Sequence, residues 1–151
     1  GLRVVNIYAP NGNPVESEKF PYKLSWLARL EKRLAQLREE RVDTLVAGDF
    51  NIIPEAADCY DPRAWKEDAL FRPESRGWFR RFQHLGYTDA LRVHSTGPDA
   101  YTYWDYQGGA WPAGKGIRID HILLSPRLAD RLVSCAVDRG PRGWDKASDH
   151  T

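Results

Sequence analysis

The chain has 151 residues, 42% of them hydrophobic and 12% aromatic, and a formal net charge of +1. That composition supports one packed domain and excludes an unstructured polymer. No apolar run approaches the roughly 18–20 residues of a membrane span, and no charged start leads into an apolar signal core. A soluble, cytoplasmic protein with no membrane partner is therefore expected. With so little net charge, a nucleic-acid partner would have to be met through a local patch. Cys59 and Cys135 lie far apart without metal-type spacing and are expected as free thiols.

The first element is Leu2 to Tyr8, rich in β-branched and aromatic residues, which reads as a strand. Ala9 to Pro14 is a loop by its Pro, Asn and Gly content. From about Glu18 to Glu40, Leu27, Leu30, Leu34 and Leu37 recur at helical spacing between charged residues, which predicts an amphipathic helix. Thr44 to Ala47 is a short apolar strand ending at Gly48-Asp49. Strand, helix and strand in this order form a crossover unit, which brings the Tyr8 and Asp49 loops to one sheet edge.

Residues 54 to 74 read as a long loop, a length that is usually functional or disordered. Ser75 to Leu85 is expected as a short helix capped by Ser75, with Trp78, Phe79, Phe82 and Leu85 on its apolar face. After the aromatic-rich stretch 101 to 111 and a glycine-containing loop, Ile117 to Leu124 alternates as a strand. Ser125-Pro126 opens another short helix, and Leu132 to Val137 reads as a further strand. The class is mixed α and β.

Gly48-Asp49-Phe50-Asn51 places a carboxylate and an amide two residues apart, facing the same way in extended backbone. Such a pair can hold a hard cation, take a proton from water or orient a phosphate oxygen. The same residue types also build ordinary turns. Asp120 lies in an otherwise apolar strand, where a buried charge needs a partner. Arg118 on the same face is one candidate, and a histidine whose tautomer Asp120 would fix is the other. Asp149-His150 could supply a metal ligand and a general acid or base, or could be an exposed polar tail. His84, His94 and His121 read as surface or satisfied structural residues.

Taken in order, several blocks resemble one family. They are Asn6-Ile7-Tyr8-Ala9-Pro10-Asn11-Gly12, Gly48-Asp49-Phe50-Asn51-Ile52-Ile53-Pro54, Tyr101-Thr102-Tyr103-Trp104, Arg118 to Ser125, and Ser148-Asp149-His150. Together they resemble the exonuclease III family of AP endonucleases, within the endonuclease/exonuclease/phosphatase superfamily. The resemblance implies an α/β (α+β) fold, a partial DNase-I-like four-layer αβ sandwich comprising mostly the C-terminal-side portion.

It also implies roles. Asp49 would handle the proton of the attacking water or leaving group, and Asn51 would hold the scissile phosphate. His150 would contact the phosphoryl group with Asp120 as its orienting partner, and Tyr8 would hydrogen-bond the phosphate. Asp49, Asn51, Asp149 and His150 would surround a Mg²⁺ ion, with Mn²⁺ as a substitute. Asn11 would lie beside DNA, and Tyr103, Ile117 and Ile119 would line a pocket for a base-free sugar, in which an intact base would clash. The implied activity is Mg²⁺-dependent phosphodiester hydrolysis in DNA repair, cleaving 5′ to abasic sites and/or removing 3′ nucleotides and 3′ blocking groups. The implied substrate is double-stranded DNA with abasic or damaged 3′ sites, met by a monomer. Arg63, Arg72, Arg76, Arg80, Arg81 and Lys115 are candidates for phosphate contacts or for a solvated surface.

The family's N-terminal half, with a strand-end asparagine and a metal-binding glutamate, has no counterpart here, nor does the final strand after Asp149-His150. Glu16, Glu18 and Glu55 are not in the matching context. The chain, which contains no methionine, is expected to be one domain truncated at both ends. By itself it is expected to bind Mg²⁺ weakly and show little activity. The alternatives are a non-catalytic nucleic-acid-binding relative and a phosphatase of inositol phosphates or phospholipids.

Overall fold

The computed structural model describes residues 1–95, 97 and 100–151. Strand β1 spans Leu2–Tyr8, helix α1 Lys19–Glu39 and strand β2 Asp43–Asp49. After a 3₁₀ turn at Ala56–Asp58 come α2 (Pro73–His84), β3 (Thr88–Asp89), α3 (Ala90–His94), β4 (Asp120–Leu124) and α4 (Pro126–Ala129). A second 3₁₀ turn covers Gly140–Gly143. The strands form one sheet in the order β1-β2-β4-β3. β1 and β2 are parallel, as the crossover predicts, and β4 runs antiparallel to both β2 and β3.

The register sorts side chains onto two faces, because neighbours across strands share a face and successive residues alternate. Val5, Val46 and Leu123 occupy one rung on the helix side. They pack with Leu27, Leu30, Leu34 and Leu37 of α1 and with Phe79 and Phe82 of α2. The spacing of these leucines is what makes α1 a helix with a single buried stripe. The opposite face carries the rung Asn6, Ala47 and Ile122 and, one step on, Tyr8, Asp49 and Asp120. On this face Val4 is 63% exposed and Ile122 38%. The described residues thus supply one sheet and the helical layer on one side of it. Among them no helix is long and apolar enough to cross a membrane.

Several expectations need correction. α2 starts at Pro73, the preferred first-turn residue, and Ser75 is not its cap. Ser75 lies inside the helix, fully buried, and donates its hydroxyl to the Ala69 carbonyl at 2.6 Å. The ladder of β4 begins at Asp120, not Ile117; Ile117 makes only isolated bridges to Cys59 and Tyr103. Residues 132–137 form no strand, and Val133 is 89% exposed. Both cysteines are free thiols, as expected.

Gly48 permits a close approach of β2 to β1. Its φ is 132°, and a Cβ there would lie 2.0 Å from the Ile7 carbonyl oxygen. Any side chain would pry β1 from β2 one residue before Asp49.

Candidate active site

β1 and β2 end together, since Tyr8 is the register partner of Asp49, and β4 begins beside them with Asp120 opposite Asp49. Three chemistry-bearing side chains therefore leave the same edge of the sheet on the same face. Beyond Asp49 the chain turns through Asn51, which holds a left-handed φ of 50°. Asparagine tolerates this region better than most residues. Asn51 N–H donates to Asp49 Oδ1 at 2.7 Å, and its side-chain amide donates to Asp49 Oδ2 at 3.0 Å and to the Ala9 carbonyl at 2.8 Å. Asn11 in turn donates to Asn51 Oδ1 at 3.2 Å. The carboxylate and the amide do meet, but through hydrogen bonds across this turn and not through the extended backbone that the two-residue spacing assumed.

The alternative left open for Asp120 resolves toward histidine. His150 Nδ1 lies 2.8 Å from Asp120 Oδ2. Arg118 is occupied elsewhere: it is buried, with Nε 2.7 Å from Asp58 Oδ1 and Nη1 2.9 Å from Asp89 Oδ2. His150 is brought into place by an isolated bridge to Tyr103, whose ring meets the imidazole edge-on with centroids 5.0 Å apart.

A cavity of about 300 Å³ collects the predicted residues. Tyr8, Asn11, Asp49, Asn51, Tyr103, Ile117, Ile119, Asp149 and His150 all line it, while Asp120 stands behind His150. Tyr8 is 78% exposed and its hydroxyl has no hydrogen-bond partner among the described residues, and the Asp149 carboxylate has none either. Ile117 and Ile119 are buried in the apolar wall with Phe20 and Leu70. Among the described residues no three His, Cys, Asp or Glu side chains stand close enough to hold a metal ion by themselves.

The electrostatics are those of a partly desolvated site. Burial raises the Asp49 carboxyl to about 6, opposed by the Asn51 N–H, reinforced by the Asp120 charge and opposed again by His150 and Lys23. His150 is raised as well, for a different reason. Its hydrogen bond to Asp120 raises it, outweighing burial, and the charges of Asp120, Asp49 and Asp149 add to the effect. A carboxyl that titrates at about 6, mostly charged at neutral pH, and a readily charged imidazole therefore face one cavity.

Lys23 is the residue that the sequence reading missed. It is fully buried, and Nζ donates to the carbonyls of Asn51 at 2.6 Å, Asn11 at 3.0 Å and Ala69 at 3.2 Å. One ammonium thus ties together the loop after β1, the turn after β2 and the 54–72 segment. Burial lowers its pKa from 10.5 to about 7, against the charges of Asp68 and Asp49. The clue was present: Lys23 falls in the buried stripe of α1, between Phe20 and Leu27. Asn13 was also missed; it donates to both Asp68 carboxylate oxygens at 3.1 Å and closes the rim.

Most of the candidate phosphate-binding arginines have acidic partners on the surface. Arg72 pairs with Glu67, Arg76 and Arg80 with Glu55, and Arg81 with Glu31. Arg63 and Lys115 have no acidic partner among the described residues. His121, expected to be structural, is buried against Phe50 and Phe79, with Nε2–H donating to the Ile52 carbonyl at 2.9 Å.

Comparison with known proteins places this geometry in context. The sequence model of the Endonuclease/Exonuclease/phosphatase family matches residues 1–150. An exodeoxyribonuclease III from Haemophilus influenzae is 33% identical over 157 residues, covering 99% of this chain and 59% of that protein. The structure of an AP endonuclease from Archaeoglobus fulgidus superposes with a TM-score of 0.94 at 38% identity, covering 99% of this chain and 59% of the other. A 3′ phosphatase from Neisseria, bound to a product DNA hairpin, gives 0.95 at 40% identity, covering 99% and 58%. The chain spans somewhat more than half the length of these relatives.

Proposed function

The chain belongs to the endonuclease/exonuclease/phosphatase family, and from that premise we propose that it carries part of the active site of a DNA-repair phosphodiester hydrolase of the exonuclease III type. One observation carries the reading. Asp49 with Asn51, and Asp120 with His150, form two hydrogen-bonded pairs that meet at a single cavity from adjacent strands. Its substrate is DNA with abasic or blocked 3′ ends, a reading supported by the activities named for the relatives above.

In this reading the scissile phosphate lies between Asn51 and His150. Asp120 accepts from His150 Nδ1–H, which fixes the ring so that Nε2 faces the cavity and can donate to a phosphoryl oxygen. Asp49, raised to about 6 and so still mostly deprotonated at neutral pH, takes the proton of the attacking water. Tyr8, with a free hydroxyl at the rim, donates to the same phosphate. Tyr103, Ile117 and Ile119 take the sugar.

The oxygen-rich donor set of Asp49, Asn51 and the unpartnered Asp149 carboxylate fits a hydrated Mg²⁺ or Mn²⁺ better than a softer metal. When bound, that ion polarises the phosphate and steadies the leaving oxygen. Among the described residues no three acidic or histidine side chains converge, and the 151-residue chain by itself binds the ion weakly.

The test uses the complete reading frame beside the 151-residue chain on a duplex with one abasic site, with Mg²⁺ or with EDTA. Incision by the complete protein with Mg²⁺, abolished by EDTA and by Asp49→Ala, is expected. Salt-dependent DNA binding without any cleavage would sink the hydrolase reading.

A further inference from the structure

One buried side chain reaches three of the backbone segments that shape the cavity without lining it. Lys23 lies near the start of α1, in the buried stripe that runs through Phe20, Leu27 and Leu30. The Cα–Cβ bonds of a helix tilt toward its N-terminus, and at that end of α1 arrives the loop from β1. There Nζ donates to the carbonyls of Asn51, Asn11 and Ala69 at 2.6, 3.0 and 3.2 Å. An ammonium has three protons to donate, and each goes to a different segment.

Two further observations show these segments fitted to the lysine. Gly12 has a φ of 92°, and a Cβ there would lie 2.7 Å from Lys23 Cδ, so the loop after β1 rests on the stem itself. Ala69 is held from both sides: its N–H donates to Asn13 Oδ1 at 3.0 Å, and its carbonyl accepts from Lys23 and from Ser75 Oγ. Among the described residues no carboxylate pairs directly with the ammonium; Asp68 and Asp49 act on it through charge alone. A buried cation without a counter-ion is costly. Satisfying three carbonyls does not require one, since backbone N–H groups or a buried water do the same.

What the lysine adds is a fixed point. Asn51 turns through its left-handed φ, and its N–H and side-chain amide both engage the Asp49 carboxylate. Its carbonyl is the other backbone group of the turn, and Lys23 pins it to a helix that the leucine stripe packs against the sheet. We infer that Lys23 is a positioning residue for the proposed hydrolysis: its ammonium holds the Asn51 turn so that the Asn51 amide and the Asp49 carboxylate meet the phosphate in one geometry. The inference rests on the phosphodiester reading. All three partners of Lys23 are backbone carbonyls, so it acts on the reaction only through them. A reacting group displaced by about 1 Å can lose about 100-fold in rate.

The test uses the complete reading frame with two variants. Lys23→Met keeps the stem and removes the charge, and Lys23→Arg keeps a cation but moves it. On each folded variant, kcat and KM are measured with Mg²⁺ on a duplex holding one abasic site, and the Asn51 side-chain amide signals are followed by NMR. Lys23→Met is expected to lower kcat about 100-fold with KM little changed, and to shift the Asn51 signals. Lys23→Arg should lose less. A lysine that merely fills the core would lower the urea midpoint and leave kcat and the Asn51 signals of the folded protein in place. Unchanged kcat, a loss of kcat with unmoved Asn51 signals, or equal losses in the two variants overturns the positioning role and leaves the hydrolase reading standing. Failure of both variants to fold also overturns it, because Lys23 then belongs to the core. If wild type does not cleave, the hydrolase reading fails instead, and the Asn51 signals of Lys23→Met decide alone whether Lys23 holds the turn.

Discussion

His150 Nδ1 sits 2.8 Å from Asp120 Oδ2, although 30 residues separate them in the chain. The carboxylate comes from the first residue of β4, and the imidazole is delivered by its bridge to Tyr103. The pair sets the charge of the imidazole that faces the cavity.

Asp120→Asn removes the nearest negative charge and replaces a charge-assisted hydrogen-bond acceptor with a neutral one, weakening the two largest influences that hold His150 above its ordinary 6.5. The His150 midpoint, followed by NMR, should therefore fall. The sign for stability follows. A raised imidazole contributes stability that is complete below 6.5 and lost as pH climbs through the folded midpoint, so the variant loses stability mainly at acidic pH. An unchanged His150 midpoint in the variant would show that the pair does not set its charge.

Asp49 offers a second titration. Its carboxyl, raised by burial from 3.8 to about 6, should show a carbon-13 midpoint near 6. Because the folded state holds this proton more tightly, the group's contribution to stability is complete below about 3.8 and disappears as pH rises through about 6. Millimolar Mg²⁺ should lower the midpoint, since a cation favours the charged form. A midpoint at the ordinary carboxylate value, or one indifferent to Mg²⁺, would remove Asp49 from the proposed role.

Arg118 joins two buried carboxylates, Asp58 and Asp89, and Asp58 also accepts from Arg92. Burial alone would raise Asp58, but the hydrogen bonds and charges of Arg118 and then Arg92 hold it below the ordinary value. Its contribution to stability is therefore present above about 3.8 and is lost as pH falls through a still lower midpoint. Arg118→Met leaves the desolvated Asp89 without its cation and Asp58 with Arg92 alone, and should cost about 3–5 kcal/mol by urea denaturation at pH 7. A loss under about 1 kcal/mol would mean that water reaches this cluster.

His121 should make the fold acid-sensitive well above the carboxylate range. Full burial, helped by the Arg118 charge, lowers it from 6.5 to about 3. Between those values the unfolded chain binds a proton that the folded chain refuses, so stability falls with pH by up to about 1.4 kcal/mol per unit. Asp49 pushes the opposite way over part of this window, so the reading is the difference between wild type and His121→Phe. Parallel stability curves for the two proteins from pH 7 to 4 would contradict the assignment.

The sequence made some of this legible, and the reasons differ by residue. α1 and its leucine stripe were readable because burial on one face imposes its own period. The pairing of Tyr8 with Asp49 followed from the crossover, because parallel strands finish at the same edge. Asp120 was ambiguous because its partner depends on where Asp58 and Asp89 fold, 62 and 31 positions upstream, and these capture Arg118. Lys23 was passed over because a lysine in an apolar stripe reads as a surface residue until the three carbonyls around it are seen. Residues 132–137 alternate like a strand but pair with none of the four strands of the sheet.

The alternation of β2 has an implication for altering this protein. Val46 faces the leucines of α1, whereas Ala47 and Asp49 face away from them, and Gly48 locks the spacing to β1. Inserting or deleting one residue in this strand would exchange the two faces, pushing the carboxylate into the leucines and Val46 into water. Packing and chemistry are thus written in the same reading frame of seven residues. The strand can be diversified by substitution at alternate positions, but it cannot absorb a change in its length.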